Sequence, residues 1–135
     1  MNPLPLQSIL LSDTPLIDVR AEIEFKTGSF PSARNMPILN DDERALVGIC
    51  YKDKGPDAAK ALGHELVSGA IRENRIDTWC EFISQNPGAK LYCFRGGLRS
   101  TLAQRWIQDR GIQIEKIKGG HVILNFFTGT LFGCV

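Results

Sequence analysis

The sequence predicts an α/β fold: a mostly parallel central sheet flanked by helices, with a helical insert. Three observations lead there. Two short apolar runs, Pro15–Arg20 and Ala89–Phe94, read as buried strands. A long stretch with helical spacing separates them. After the second run, a glycine-bearing turn leads at once into another helix. Strands joined through helices pair in parallel.

Residues 1–13 form a lead holding Pro3 and Pro5, with one helical turn expected at Gln7–Leu11. After the first strand, Ala21–Thr27 reads as a short helix closed by Gly28, and Phe30–Arg34 as a turn. Asn35–Ile38 is expected to be extended, because the residue before a proline is driven to β or polyproline angles. Asn40 opens a helix to about Tyr51, with Asp41, Asp42 and Glu43 in the first turn, where the dipole favours carboxylates. Pro56 suits the first position of the next helix. From Asp57 to about Gln85 the chain is expected to be helical, with a break at Ser68-Gly69, and Asn86-Pro87-Gly88 stops it. Leu98–Gln108 is a helix ended by Gly111, and Ile112–Lys118 a further strand. The helical insert spans about residues 40–85 of a domain expected at 14–120, and residues 121–135 form an apolar tail.

The 135 residues suit one domain with its own core. With 43% hydrophobic and 23% charged residues, disorder, collagen and coiled coil are excluded. A net charge of +1 gives no global field for nucleic acid or membrane. Residues 91–135, however, hold six basic and two acidic groups, which suits a local anion site. Cys50, Cys80, Cys93 and Cys134 make no CxxC, and no His/Cys cluster has zinc spacing, so no metal site is expected. Free thiols, no basic leader and no apolar run of about 18 residues lead to the expectation of a cytoplasmic protein without a membrane anchor.

The strongest local signal is Cys93-Phe94-Arg95-Gly96-Gly97-Leu98-Arg99-Ser100. It sets a cysteine at a strand end, then a tight turn, then a helix start. Two glycines allow backbone N–H groups to converge on one spot. The helix start adds partial positive charge, and Arg95 and Arg99 offer guanidinium forks for an oxyanion. An ordinary thiol of pKa about 8.5 is only a few per cent thiolate at neutral pH. Such a cradle favours the thiolate, so Cys93 is the candidate nucleophile or carrier of a transferable atom. The competing reading, a buried strand cysteine followed by a plain turn, requires the cysteine, glycines, arginines and Ser100 to coincide by accident. Two chemistries share a C-x5-R-[ST] loop: phosphate-ester hydrolysis, and chalcogen transfer through a persulfide-like adduct. The loop by itself leaves both open. Asp18 and Arg20, at the first strand's end, are expected to support neighbouring loops by charge-assisted hydrogen bonds.

Asp18-Val19-Arg20, Glu24-Phe25, Gly28, Phe30–Ala33 and Asn35-Met36-Pro37 together form a spaced pattern that resembles the rhodanese (sulfurtransferase) superfamily. Asn40–Arg44, Val47-Gly48, Cys50–Lys52, Gly55-Pro56, Ala61–His64, Leu66–Gly69 and Cys93–Ser100 narrow the resemblance to the rhodanese domain of the tRNA 2-selenouridine synthase family. That resemblance implies a rhodanese-like fold and a transferase that replaces sulfur by selenium in wobble 2-thiouridine of tRNA. It implies selenophosphate as donor, no bound cofactor, Cys93 as the selenium carrier, and Phe94–Ser100 as the donor-binding loop. A generic thiosulfate or persulfide sulfurtransferase and a cysteine-dependent phosphatase are the alternatives. The family continues into a P-loop domain. No G-x-x-x-x-G-K-[ST] occurs here, and residues 121–135 leave the pattern, so a truncated form is expected.

Overall fold

The computed structural model describes residues 14–93 and 98–117. The expected lead at 1–13, the loop residues Phe94–Gly97, the end of the domain at 118–120 and the tail at 121–135 lie outside the described residues.

Four parallel strands form one sheet in the order β2-β1-β3-β4, with β1 at Leu16–Asp18, β2 at Ala33–Asn35, β3 at Lys90–Tyr92 and β4 at Glu115–Lys116. Five helices connect them: α1 (Glu22–Thr27) between β1 and β2, then α2 (Asp41–Lys54), α3 (Pro56–Leu66) and α4 (Gly69–Gln85) before β3, and α5 (Leu98–Asp109) between β3 and β4. The expected α/β architecture with a helical insert is therefore present. None of the described helices is long and apolar enough to cross a membrane.

β1 and β3 are central, and Leu16, Ile17, Val19, Leu91 and Tyr92 are fully buried. A parallel strand covered on both faces needs this unbroken apolar run. From the insert, α4 brings in Ile76, Trp79 and Phe82 at helical spacing. Trp79 stacks against Trp106 of α5 with ring centroids 6.3 Å apart, and its indole N–H donates to the Met36 carbonyl at 2.9 Å. Burying the indole without that bond would leave an unsatisfied donor in the core.

Some boundaries differ from expectation. The second strand is Ala33–Asn35, earlier than the extended piece read at Asn35–Ile38. Met36 and Ile38 still donate to the Asp18 and Val19 carbonyls, but Pro37 between them has no N–H, so the regular ladder stops. α2 runs on to Lys54 because its stop is Gly55, whose φ of +91° suits glycine; Pro56 then starts α3. The expected break in the insert falls at Val67-Ser68, with Val67 buried. The last strand is confined to Glu115–Lys116.

α2 begins with a reciprocal cap. Asn40 Oδ1 accepts from the Glu43 N–H, and Glu43 Oε1 accepts from the Asn40 N–H, both at 2.8 Å. Arg75 of α4 donates to both Glu43 oxygens, at 2.7 and 3.1 Å, and to the Ile38 carbonyl at 2.6 Å. The insert is thereby fastened to the chain leaving β2.

Candidate functional site

The sheet order places β2 on one side of β1 and β3 on the other. The chain thus reverses its direction of winding between β1 and β3. In open parallel sheets the crevice at the carboxyl ends of such a strand pair is where ligands bind. β1 ends there with Asp18, followed by Val19 and Arg20; β3 ends with Tyr92, followed by Cys93.

Cys93 is 5% exposed. Its thiol donates to Ser100 Oγ at 3.2 Å, and the Ser100 backbone N–H donates to Sγ at 3.4 Å. Ser100 lies in the first turn of α5 and is buried. The sulfur therefore faces an amide of the first helical turn, at the positive end of the helix dipole. On ionisation the Ser100 hydroxyl turns from acceptor to donor, so both contacts then stabilise negative charge.

Asp18 and Arg20 are not solvated ends of a strand: both are essentially fully buried. Arg20 Nη2 donates to Asp18 Oδ2 at 2.8 Å, Nε to Oδ1 at 3.0 Å, and the backbone N–H to Oδ1 at 2.9 Å. Arg20 Nη2 also donates to the Gly28 carbonyl at 2.6 Å. Burial works against the Arg20 charge, but the hydrogen bonds and charge of Asp18 outweigh it and raise the guanidinium pKa. The Tyr92 hydroxyl donates to Asp18 Oδ2 at 2.7 Å and accepts from the Phe30 N–H at 3.4 Å. Burial, then the Asp18 charge, push the Tyr92 phenol far above its ordinary range, so it stays a donor. Asn35 Nδ2 bonds the Asp18 and Arg20 carbonyls at 3.1 and 2.8 Å. This network holds the residue before Cys93 against the end of β1.

Leu98, Arg99 and Ser100 open α5, with Leu98 57% exposed. The Arg99 guanidinium forms a two-pronged pair with Glu24 of α1, Nη1–Oε1 at 2.6 Å and Nη2–Oε2 at 3.1 Å. Arg44 of α2 brings Nε to 3.0 Å from the same Glu24 Oε1, although its N–H direction makes no hydrogen bond. Burial alone would raise the Glu24 carboxyl, but the hydrogen bonds and charge of Arg99, then the charge of Arg44, hold it below the usual carboxylate range. The loop sequence reveals neither Glu24 nor Arg44. Both stand in motifs noted in the sequence, but their convergence on Arg99 depends on the packing of three separate elements.

A cleft of about 690 Å³ between α1 and the start of α2 does not include Cys93. Its lining carboxylates, Glu22, Asp41 and Asp42, repel an oxyanion. Among the described residues, no group of three or more His, Cys, Asp or Glu could hold a metal ion.

No protein-family model matches the chain. In sequence it is similar to the tRNA 2-selenouridine synthase of Marinobacter nauticus, 56% identical over 120 residues that make up 89% of this chain and 33% of that protein. The synthase of Shewanella sediminis is 56% identical over 115 residues, 85% of this chain and 31% of the relative. That of Pseudomonas syringae pv. tomato is 46% identical over 126 residues, 93% and 34%. The chain thus spans about a third of the length of the curated relatives it matches. Among solved structures, it is similar to the N-terminal domain of a Clostridium difficile 630 protein described as ATP/GTP binding. The TM-score is 0.75 at 27% identity, covering 85% of this chain and 88% of that one.

Proposed function

We propose, from the similarity of this chain to about a third of the length of tRNA 2-selenouridine synthases, that Cys93 carries a chalcogen for transfer to tRNA, with selenophosphate as donor and wobble 2-thiouridine as target. The observation that carries this reading is the Cys93 sulfur at the β1/β3 crevice, in contact with the Ser100 N–H and hydroxyl. In the loading step the thiolate forms a bond to the donor's chalcogen. The selenium–phosphorus bond breaks and its electron pair stays on phosphorus, which leaves reduced as phosphite, while the new sulfur–selenium pair on Cys93 is the oxidised product. A soft thiolate matches a soft selenium. Arg95, Gly96, Gly97 and Arg99 take the hard oxyanion through guanidinium and amide N–H groups.

Incubation with selenophosphate followed by intact mass measurement tests this. One selenium is expected on the chain, and none on Cys93→Ala. Loading from thiosulfate but not selenophosphate would support a generic sulfurtransferase instead. Cys93-dependent hydrolysis of an aryl phosphate, without a chalcogen adduct, would support a phosphatase.

A further inference from the structure

The carboxylate of Glu24 faces two guanidinium groups from different elements. It is itself fixed: Oε1 accepts the Ala21 N–H at 3.1 Å at the start of its own helix. Its side chain is 10% exposed, that of Arg99 12% and that of Arg44 29%. The three groups form a partly buried cluster in which one carboxylate faces two guanidinium groups. Arg99 immediately precedes Ser100, whose N–H contacts Sγ, so an oxyanion brought to the sulfur arrives beside the Arg99 backbone. Arg44 Nε is a buried donor, close to Oε1 but without a hydrogen bond. An arginine whose Nε lies 3.0 Å from a carboxylate oxygen without bonding it needs only a small rotation to take that carboxylate over.

We propose that Glu24 is a positioning residue that competes with the donor's oxyanion for Arg99, and that Arg44 holds the Glu24 charge when Arg99 turns to the anion. This rests on reading the Cys93 loop as an oxyanion site. The exchange keeps every buried charge paired: Arg99 swaps a carboxylate for the incoming oxyanion, and Glu24 swaps Arg99 for Arg44. Without Arg44, the exchange would strand a carboxylate in a poorly solvated place, which is strongly unfavourable. Glu24 thereby sets a threshold: an anion that offers Arg99 less than a carboxylate does is not admitted.

The test uses inorganic phosphate as the probe. Its ability to protect Cys93 from iodoacetamide is followed by peptide mass spectrometry on the full chain, with thermal melting as a check on folding. Glu24→Gln is expected to lower the half-protecting phosphate concentration several-fold, whereas Glu24→Asp stays near the wild type. Arg44→Met raises that concentration several-fold when Glu24 is present and leaves it unchanged in the Glu24→Gln background. An unchanged or raised concentration in Glu24→Gln overturns the proposal. An Arg44→Met effect of equal size in both backgrounds, which would mean direct anion contact, also overturns it, as does a lack of protection in every form. Selenium loading of the wild type separates the two readings. Normal loading with no coupling removes the Glu24 role alone. Coupling without loading removes the chalcogen reading and leaves the ion-pair exchange standing.

Discussion

Tyr92 and Asp18, 74 residues apart in the chain, meet through a 2.7 Å hydrogen bond across the two central strands. Tyr92 stands next to Cys93, and Asp18 holds Arg20, which in turn reaches the Gly28 carbonyl. The buried charge pair is therefore tied to the residue next to Cys93 at the end of the neighbouring strand. Tyr92→Phe is expected to cost about 1–3 kcal/mol of stability, the usual range for a buried acceptor losing its donor. Asp18→Asn should cost more, about 3–5 kcal/mol, because it removes the carboxylate whose charge and hydrogen bonds support the buried Arg20 guanidinium. Urea denaturation of the three proteins checks both the sizes and their order.

Ser100→Ala keeps the backbone N–H that faces the sulfur and removes only the hydroxyl. A hydrogen bond to a charged group contributes about 1.5 kcal/mol, close to a factor of ten in rate. Alkylation of Cys93 by iodoacetamide at neutral pH is expected to slow about tenfold. Equal rates for the two proteins would show that the hydroxyl does not stabilise the thiolate.

The acid side of the stability curve follows from Glu24 and Glu43. Burial would raise both carboxyls, but Arg99 and Arg44 for Glu24, and Arg75 with the Asn40 N–H for Glu43, bring them below the ordinary 4.5. A carboxyl with a lower pKa folded than unfolded binds its proton more readily in the unfolded chain. Its contribution is therefore complete above about pH 4.5 and drains away as the pH falls through the lower folded value. Glu43→Gln should be less stable than the wild type at pH 7, with the gap closing below pH 4.5. Urea midpoints measured at several pH values between 3 and 7 test the convergence.

Asn40→Ala removes the side-chain acceptor of the reciprocal cap and should cost about 1 kcal/mol. Because Glu43 of that cap also binds Arg75, the loss is expected to loosen the junction of α2 with α4. Hydrogen exchange should speed up first at the Glu43 amide, which loses its Asn40 Oδ1 acceptor, and leave the amides of β1 and β3 unaffected.

The elements were legible because their signals are local. Asn40 at a helix start, Pro56 at the first position of the next helix and the apolar run before Arg20 act over a few residues, and local backbone geometry converts them directly into a cap, a helix start and a strand. Helical spacing alone likewise puts Trp79 and Trp106 on the apolar faces of α4 and α5, where both are buried. Boundaries were less legible where pairing decides them, as at Pro37, which interrupts a ladder to β1 that only the assembled sheet creates.

From the sequence by itself came the α/β class, the helical insert, and Cys93 at a strand end before a helix: each follows from short-range sterics, periodicity and turn chemistry. The tertiary structure alone decided that β1 and β3 lie side by side, that Tyr92 caps Asp18, and that Glu24 faces Arg99 and Arg44. With 16 basic and 15 acidic side chains in the chain, charge complementarity allows many partners, and only the order of the strands and the packing of α1, α2 and α5 select the ones that meet.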